Sequence, residues 1–527
     1  MTDYLKKIAE IRKGDLKDFI EVRDPEGISY LEDEVTAGVL REFMSYCQIP
    51  HGTHHEKEIA QWLADRFEKN GWKTYIDEGI NMVCDIPATP GYENVPIMAI
   101  QGHTDMVCAF EEGSAYDPLT DSIKAAVRRD EKSGRLVLSS DGTTSLGADC
   151  GMGNAAAVYL LEDETLVHGP IRLILTAREE IGLVGVKDMA PSSLDNVAVM
   201  ANVDGFDCLK IVAGSASGRR VTYGKEIEAA DSPSAEEYAA LEISVAGLKG
   251  GHSGFDIHIG RANAVKELFH FLYHLQLNGI DYRIASFKGG LRHNVIPVNA
   301  SAVIVAEKET VKLILEKVDE FKSTLKESFE GIDDDILLSA KPADMPEKVV
   351  TESFQKSMMH LLSQIISGVY RYMDDMPGVP HTSANLGEMA CDAAEKLCEI
   401  GIFERSMGGE VREVIAGIHD AAALETGFKA ILMDGYEPWV FNPESRFLAM
   451  AAEEYSKVSG VDTEIKVSHV GLEPSVFGEY NSETEMICIG TDIIDAHSVS
   501  ERVNLDTVKI FTLTLRNIIE RYAAENR

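Results

Sequence analysis

Nowhere does the 527-residue chain approach the roughly 18 consecutive apolar residues that a membrane-spanning helix requires. Positive charge is scarce too. Fifty Lys and Arg stand against 87 Asp and Glu, for a net charge of −37. That balance argues against nucleic acid or an anionic membrane as a partner, because a phosphate surface demands a basic face. The eight cysteines are scattered and form no C-x-x-C pair, which excludes a disulfide framework in a chain of this length. The opening segment MTDYLKKIAEIRKGDLKDF is charged throughout and has no apolar centre of an export signal, so the expected location is cytoplasmic. What is present, 45% hydrophobic and 26% charged residues, suits a globular protein with more than one domain.

The informative residues stand where apolar runs end. From about Thr53 to Phe206, helices and apolar strands alternate, the pattern of an α/β fold with a mainly parallel sheet flanked by helices. Ligands of such sheets bind at the carboxyl ends of the strands. IRLILTAREEIGLVG ends a strand in adjacent acids, Glu179 and Glu180. VPIMAIQGHTDMV ends one at His103, with Asp105 two residues on. SLGADCGMGNAAAVYLLED sets Asp149 ahead of an Ala-rich helix. VAVMANVDGFD ends a run at Asp204, and MICIGTDIIDAHS ends one at His497. Each has a plainer alternative as a solvated turn, a loop pair or a cap. Five candidate ligands on five element ends of one sheet are hard to assign to capping.

Two imidazoles and three carboxylates suffice for two metal ions only if one carboxylate bridges. Asp149 is the natural bridge, leaving each ion one His, one further carboxylate and the shared Asp. Nitrogen and oxygen ligands without thiolate suit zinc first, with cobalt or manganese as alternatives. Two such ions clamp a hydroxide between them. Asp105 is expected to accept the second ring N–H of His103 and fix its tautomer. Glu179 is then left to act as general base, moving a proton from water to the leaving amine. Cys108 and Cys150 lie near these residues and are expected to be small buried hydrophobes.

GHTDMV, LGADCGMGNA, TAREEIG, VDGFD, GLKGGHSG and IDAHS resemble the aminoacyl-histidine dipeptidases (peptidase D), a branch of the co-catalytic-zinc metallopeptidases. GVPHTSANLGEM around Ser383 and SHVGLEPSVF around Glu473 are similar to that branch in particular. The resemblance runs in order from about Ile49 to near the C-terminus. It implies a zinc-exopeptidase-like catalytic domain, a small peptide substrate, His103 and Asp204 on one zinc, Glu180 and His497 on the other, Asp149 between them, and Glu179 as base. It also implies that His252, which alone reads as a turn histidine, donates to the developing oxyanion from a lid domain. Asn263, Asn294, Ser383, Asn385, His469 and Glu473 follow as candidate substrate contacts. The family's lid often mediates dimers, so a homodimer is an expectation. Two departures stand out: Cys150 follows Asp149 where the family commonly has Asn or Asp after a cis peptide, and His293 stands where related dipeptidases often carry Arg. N-acyl-amino-acid deacylases and broader exopeptidases of the same clan share the metal chemistry, and a silent metal-bound scaffold is the non-enzymatic alternative, which has no need of Glu179.

Asp204 and His497 must reach one site although almost three hundred residues separate them, so the segment between is expected to be an insertion. The expected division is 1–211 and 433–527 for the catalytic domain, with 1–35 as an extension without counterpart, and 212–432 for an inserted α+β lid domain of one or two lobes. Thr53-His-His-Glu56 reads as a capping box, which accounts for His54 and His55. His51 is left out of the ligand set.

Overall fold

The computed structural model describes residues 3–111 and 113–527, with backbone alone at residues 3, 410, 411 and 434. The chain divides into two compact units. One comprises Met1–Gly214, Phe441–Val467 and Leu472–Arg527, and the other Ser215–Val440 and Ser468–Gly471. Residues 433–440 and 468–471 therefore lie in the second unit, although chain order alone groups them with the first. The four-residue return brings His469 next to Ser383, as described below.

The first unit is built on an eight-stranded sheet in the order Lys73–Ile76, Met82–Ile86, Ile171–Thr176, Ile97–His103, Val197–Gly205, Glu485–Gly490, Lys210–Ser215, Glu464–Ser468. The three central pairings, from Ile171–Thr176 through Glu485–Gly490, are parallel, and the pairings of Met82–Ile86 with its neighbours are antiparallel. Parallel pairing is thus confined to the middle, where strands are buried on both faces and read as continuous apolar runs such as IRLILT. The helices Glu34–Tyr46, Ala148–Leu161, Arg446–Ser459 and Leu505–Glu525 share one core with it, through Phe43, Met152, Tyr455 and Phe511 against Ile100, Leu173 and Ile487. Gly153 permits a close approach of helix and sheet: a Cβ there would collide with the Val203 carbonyl.

The N-terminal extension belongs to this core. Ile20–Val22 pairs in parallel with Ala125–Val127 at the edge of a second, five-stranded sheet, and Ile8, Ile11, Leu16 and Leu31 are buried.

The second unit joins its main strands in one nine-stranded antiparallel sheet, so the two-lobe option becomes two halves of one continuous sheet. Tyr238–Ala246 alternates in burial as a half-buried strand must. The helix Ala264–Leu277 buries Val265, Leu268, Phe269, Leu272 and Leu275 along one stripe, in a core shared with Lys308–Ser328, Glu352–Gln364 and Gly409–Thr426. Among the described residues no helix is long and apolar enough to cross a membrane.

Candidate metal centre

The first unit brings its predicted ligands together from distant parts of the chain. His103 ends the strand Ile97–His103, and Asp204 stands next to the end of Val197–Gly205. Asp149 lies in the first turn of Ala148–Leu161, and its bond to Cys150 is cis. Glu179 and Glu180 follow Ile171–Thr176 on a turn that Arg178 enters with φ 56°, and His497 follows Ile493–Ile494 with φ 62°.

Asp149 sits between two imidazoles. Its Oδ1 is 3.2 Å from His103 Nε2 and its Oδ2 2.9 Å from His497 Nε2. His103 Nε2 is also 3.3 Å from Asp204 Oδ1, and His497 Nε2 is 3.0 Å from Glu180 Oε2. The result is two half-sites with one carboxylate in common. Cys150 is buried, and its Sγ lies within 4.8 Å of ligand atoms of His103 and Asp204.

This donor set fits divalent cations. Asp204 Oδ1 and Glu180 Oε1 are buried and receive no hydrogen bond. Four acids crowd the site, which is unfavourable without positive charge among them. Burial, partly opposed by His103 and reinforced by Asp149, pushes the Asp204 carboxyl up to about 8. Burial lowers the His497 pKa, but its hydrogen bonds to Asp149 and Glu180 outweigh that and raise it to about 11. Carboxylates that draw protons onto neighbouring imidazoles are short of cationic charge, and metal ions meet that need. Glu179 takes no part in either half-site. Burial first, then Glu180, Asp204 and Glu473, hold its carboxyl well above the usual range against the pull of His103.

Asp105 acts differently from the sequence expectation. His103 Nδ1 donates to the backbone carbonyl of Asp105 at 2.9 Å, while the Asp105 carboxylate is 3.6 Å away. That carboxylate instead receives Thr53 Oγ1 at 3.0 Å and the amides of Glu179 at 3.0 Å and Glu180 at 3.3 Å. It fixes the turn that carries both glutamates. The capping box is corrected for the same reason. Thr53 serves Asp105, and Glu56 Oε1 accepts the amides of His54 and Arg178, so the helix Lys57–Lys69 begins without a side-chain cap. His51 stays outside the ligand set, with Nδ1 on the Ile49 carbonyl at 2.6 Å.

The other candidates divide between the units. Glu473, in the first, takes hydrogen bonds on Oε2 from Gln101 at 2.5 Å and Thr176 at 2.8 Å; burial pushes its carboxyl up to about 7. In the second, His252 accepts the Gly254 amide on Nδ1 at 3.2 Å, so the neutral ring carries its proton on Nε2. Ser383 Oγ and His469 Nε2 are 2.7 Å apart, and burial with Arg405 nearby lowers the His469 pKa to about 3. Asn385 Nδ2 donates to the carbonyls of His293 and Val295, leaving Oδ1 buried and unpartnered. The Asn294 carbonyl accepts the Ser253 amide. Asn263 is corrected from substrate contact to helix cap. Its Oδ1 accepts the amides of Val265 and Lys266, and its Nδ2 donates to Leu386 O and Ser367 Oγ, which fills its capacity.

Two groups were missed. Glu501 binds the loop before Asp149, and a lone acid in a polar segment four residues past His497 gave little warning. The second is Arg405, which is buried, donates to Tyr436 OH at 3.1 Å, stacks 4.1 Å from the Phe403 ring centre and leaves Nε unpartnered. Among the described residues no carboxylate pairs with it or with its neighbour Arg220, whose Nε is also unpartnered. Its signal was a charged pair inside an apolar strand, EIGIFERS.

The model of peptidase family M20/M25/M40 matches residues 99–521. The chain belongs to that family. This M20 chain is a metallopeptidase, and the resemblance drawn from its motifs is borne out. It is 28% identical over 483 residues to the cytosol non-specific dipeptidase of Escherichia coli K12, covering 92% of this chain and 97% of that one. The crystal structure of aminoacylhistidine dipeptidase from Vibrio alginolyticus matches with a TM-score of 0.80 at 28% identity, over 94% of this chain and 99% of that one. A tripeptidase from Staphylococcus aureus shares the fold, with a TM-score of 0.52 and 17% identity over 93% and 98% of the two chains.

Proposed function

We propose that this M20 peptidase is a cytoplasmic dipeptidase that uses two divalent ions, zinc before cobalt or manganese, on dipeptides with a free N-terminus. Xaa-His dipeptides of the carnosine type are included. The observation that carries the reading is the Asp149 carboxylate held between His103 and His497, each with a second carboxylate beside it. When bound, the ions supply a Lewis acid and an activated water. His103, Asp149 and Asp204 would hold one, and His497, Asp149 and Glu180 the other. Glu179 takes the proton from the attacking water and delivers it to the leaving amine; its raised pKa suits a group that must both accept and release a proton. The family resemblance gives His252, whose neutral ring carries its proton on Nε2, the role of oxyanion donor. Arg405, a buried guanidinium with no carboxylate partner among the described residues, is suited to the substrate's terminal carboxylate.

Support for a dipeptide substrate comes from the names of the E. coli and Vibrio relatives, each covered over nearly its whole length. The test is a panel of carnosine, Gly-His, Ala-Ala, a tripeptide and N-acetyl amino acids, assayed after chelation and again after each metal is restored. Hydrolysis of the free dipeptides alone is expected. Preference for the N-acetyl compounds would replace dipeptidase with deacylase, and bound metal without turnover of any member would make the protein a scaffold. A homodimer belongs to the same proposal, and sedimentation as a monomer would remove it.

A further inference from the structure

We infer that Glu501 is the positioning residue that sets the bridging carboxylate, by holding the backbone that leads into Asp149. Its carboxylate is buried and accepts four consecutive main-chain amides. Oε2 takes Leu146 N at 2.8 Å and Gly147 N at 2.9 Å; Oε1 takes Ala148 N at 2.8 Å and Asp149 N at 3.3 Å. Four successive N–H groups converge on one anion only if the backbone curls around it. Gly147 provides the curl, at φ 69° and ψ 31°, a left-handed conformation that glycine adopts without strain. The helix that starts here would otherwise leave its first amides without acceptors. No serine, threonine or asparagine caps it, so a carboxylate from 352 residues further along the chain does this instead.

The same short segment carries His497. The Ser498 hydroxyl donates to Asp495 O at 2.7 Å, and Glu501 N donates to Ser498 O at 3.1 Å, so 495–501 is one tight turn. Arg502 anchors its far end on Asp130 at 2.9 Å and on Ser500 O at 3.0 Å. One rigid turn therefore presents an imidazole to Asp149 Oδ2 from one end and grips the Asp149 backbone from the other. The turn thus ties the bridging carboxylate and the histidine to one short segment. Among the described residues, the hydrogen bonds of the Glu501 carboxylate go to main-chain amides and to no metal-ligating side-chain atom.

The inference rests on the two-ion reading of the centre, so uptake of two ions by the wild-type protein is measured first; failure there ends that reading and leaves the clamp to be judged by amide exchange alone. In the metal-free wild type, amides 146–149 should be strongly protected from hydrogen exchange. Exchange at the rate of open loops would overturn the clamp without any variant. Glu501→Gln keeps the size but turns an NH2 group towards two of the amides, and Glu501→Asp keeps the charge but withdraws it by one methylene. For both, calorimetric titration of the metal-free protein with Mn2+ should show the second ion bound about 10–100-fold more weakly, the range seen when groups that orient metal ligands are removed. Magnetic coupling between the two Mn2+ ions in the electron paramagnetic resonance spectrum should be lost in step. At saturating metal, kcat should fall while KM stays near wild type. A normal Glu501→Asp beside a defective Glu501→Gln would mean that charge alone matters and overturn positioning. Lower Tm with unchanged metal affinity and kcat would reduce Glu501 to a structural cap, which also overturns it.

Discussion

The two units carry opposite electrostatic deficits. In the first, Asp149, Glu179, Glu180, Asp204 and Glu473 gather with only two imidazoles among them, and Glu180 Oε1 and Asp204 Oδ1 lack donors. In the second, Arg405 stands near His469 and Arg220 near Arg405, with Nε of each arginine lacking an acceptor among the described residues. Buried polar groups are normally satisfied, so clusters that are not call for something from outside the chain. The acidic cluster calls for cations and the basic one for an anion. The contrast is chemical and holds for each unit taken alone.

The sharpest way to break this contrast is at the acid with no ligand role. Glu179→Ala should cost about 10²- to 10⁴-fold in kcat, the usual range for general acid–base catalysis, while two ions remain bound by elemental analysis. An unchanged kcat would strip Glu179 of its role as base. Next, His252→Ala should lose about 10²- to 10³-fold in kcat, the cost of removing one oxyanion donor. A change in KM alone would make His252 a binding residue. Arg405→Met should weaken substrate binding by about 1.5–3 kcal/mol, the worth of a hydrogen bond to a charged group, and raise KM far more than it lowers kcat. Dipeptides with an amidated C-terminus should erase the difference between variant and wild type. An equal loss with amidated substrates would show that Arg405 does not meet the carboxylate.

A separate effect concerns acid stability of the second unit. His469 titrates at about 3 when folded and near 6.5 when unfolded. The unfolded chain therefore binds the extra proton between those values, and stability present above pH 6.5 is lost as pH falls towards 3. The slope is about 1.4 kcal/mol per pH unit for one such group. In His469→Gln the pH dependence of urea unfolding should flatten by up to that amount. An unaltered slope would mean that the histidine is protonated in the fold.

Sequence periodicity located most elements, because apolar spacing and burial have the same cause. Ile171–Thr176 and the stripe from Val265 to Leu275 are examples. The candidate ligand residues were legible because they stand at the ends of strands or, for Asp149, at the start of a helix, where polarity interrupts an apolar run. Side-chain partners were not. Thr53 and Glu56 have the spacing of a capping box, yet tertiary contacts to Asp105 and Arg178 compete better for them than the local helix does. Asn263 went the other way, a motif residue that the local helix claims. Arg405 was hidden inside an apolar strand, since neither pattern nor spacing reveals whether a buried charge has a partner.

The return of Ser468–Gly471 to the second unit means that the chain passes between units four times, not twice. Excising residues 215–440 as a cassette would therefore leave behind the histidine that Ser383 bonds. Any chimera that transplants this insertion from one relative to another must bring along a tetrapeptide encoded near the far end of the gene, or its recipient will inherit a serine facing a mismatched neighbour.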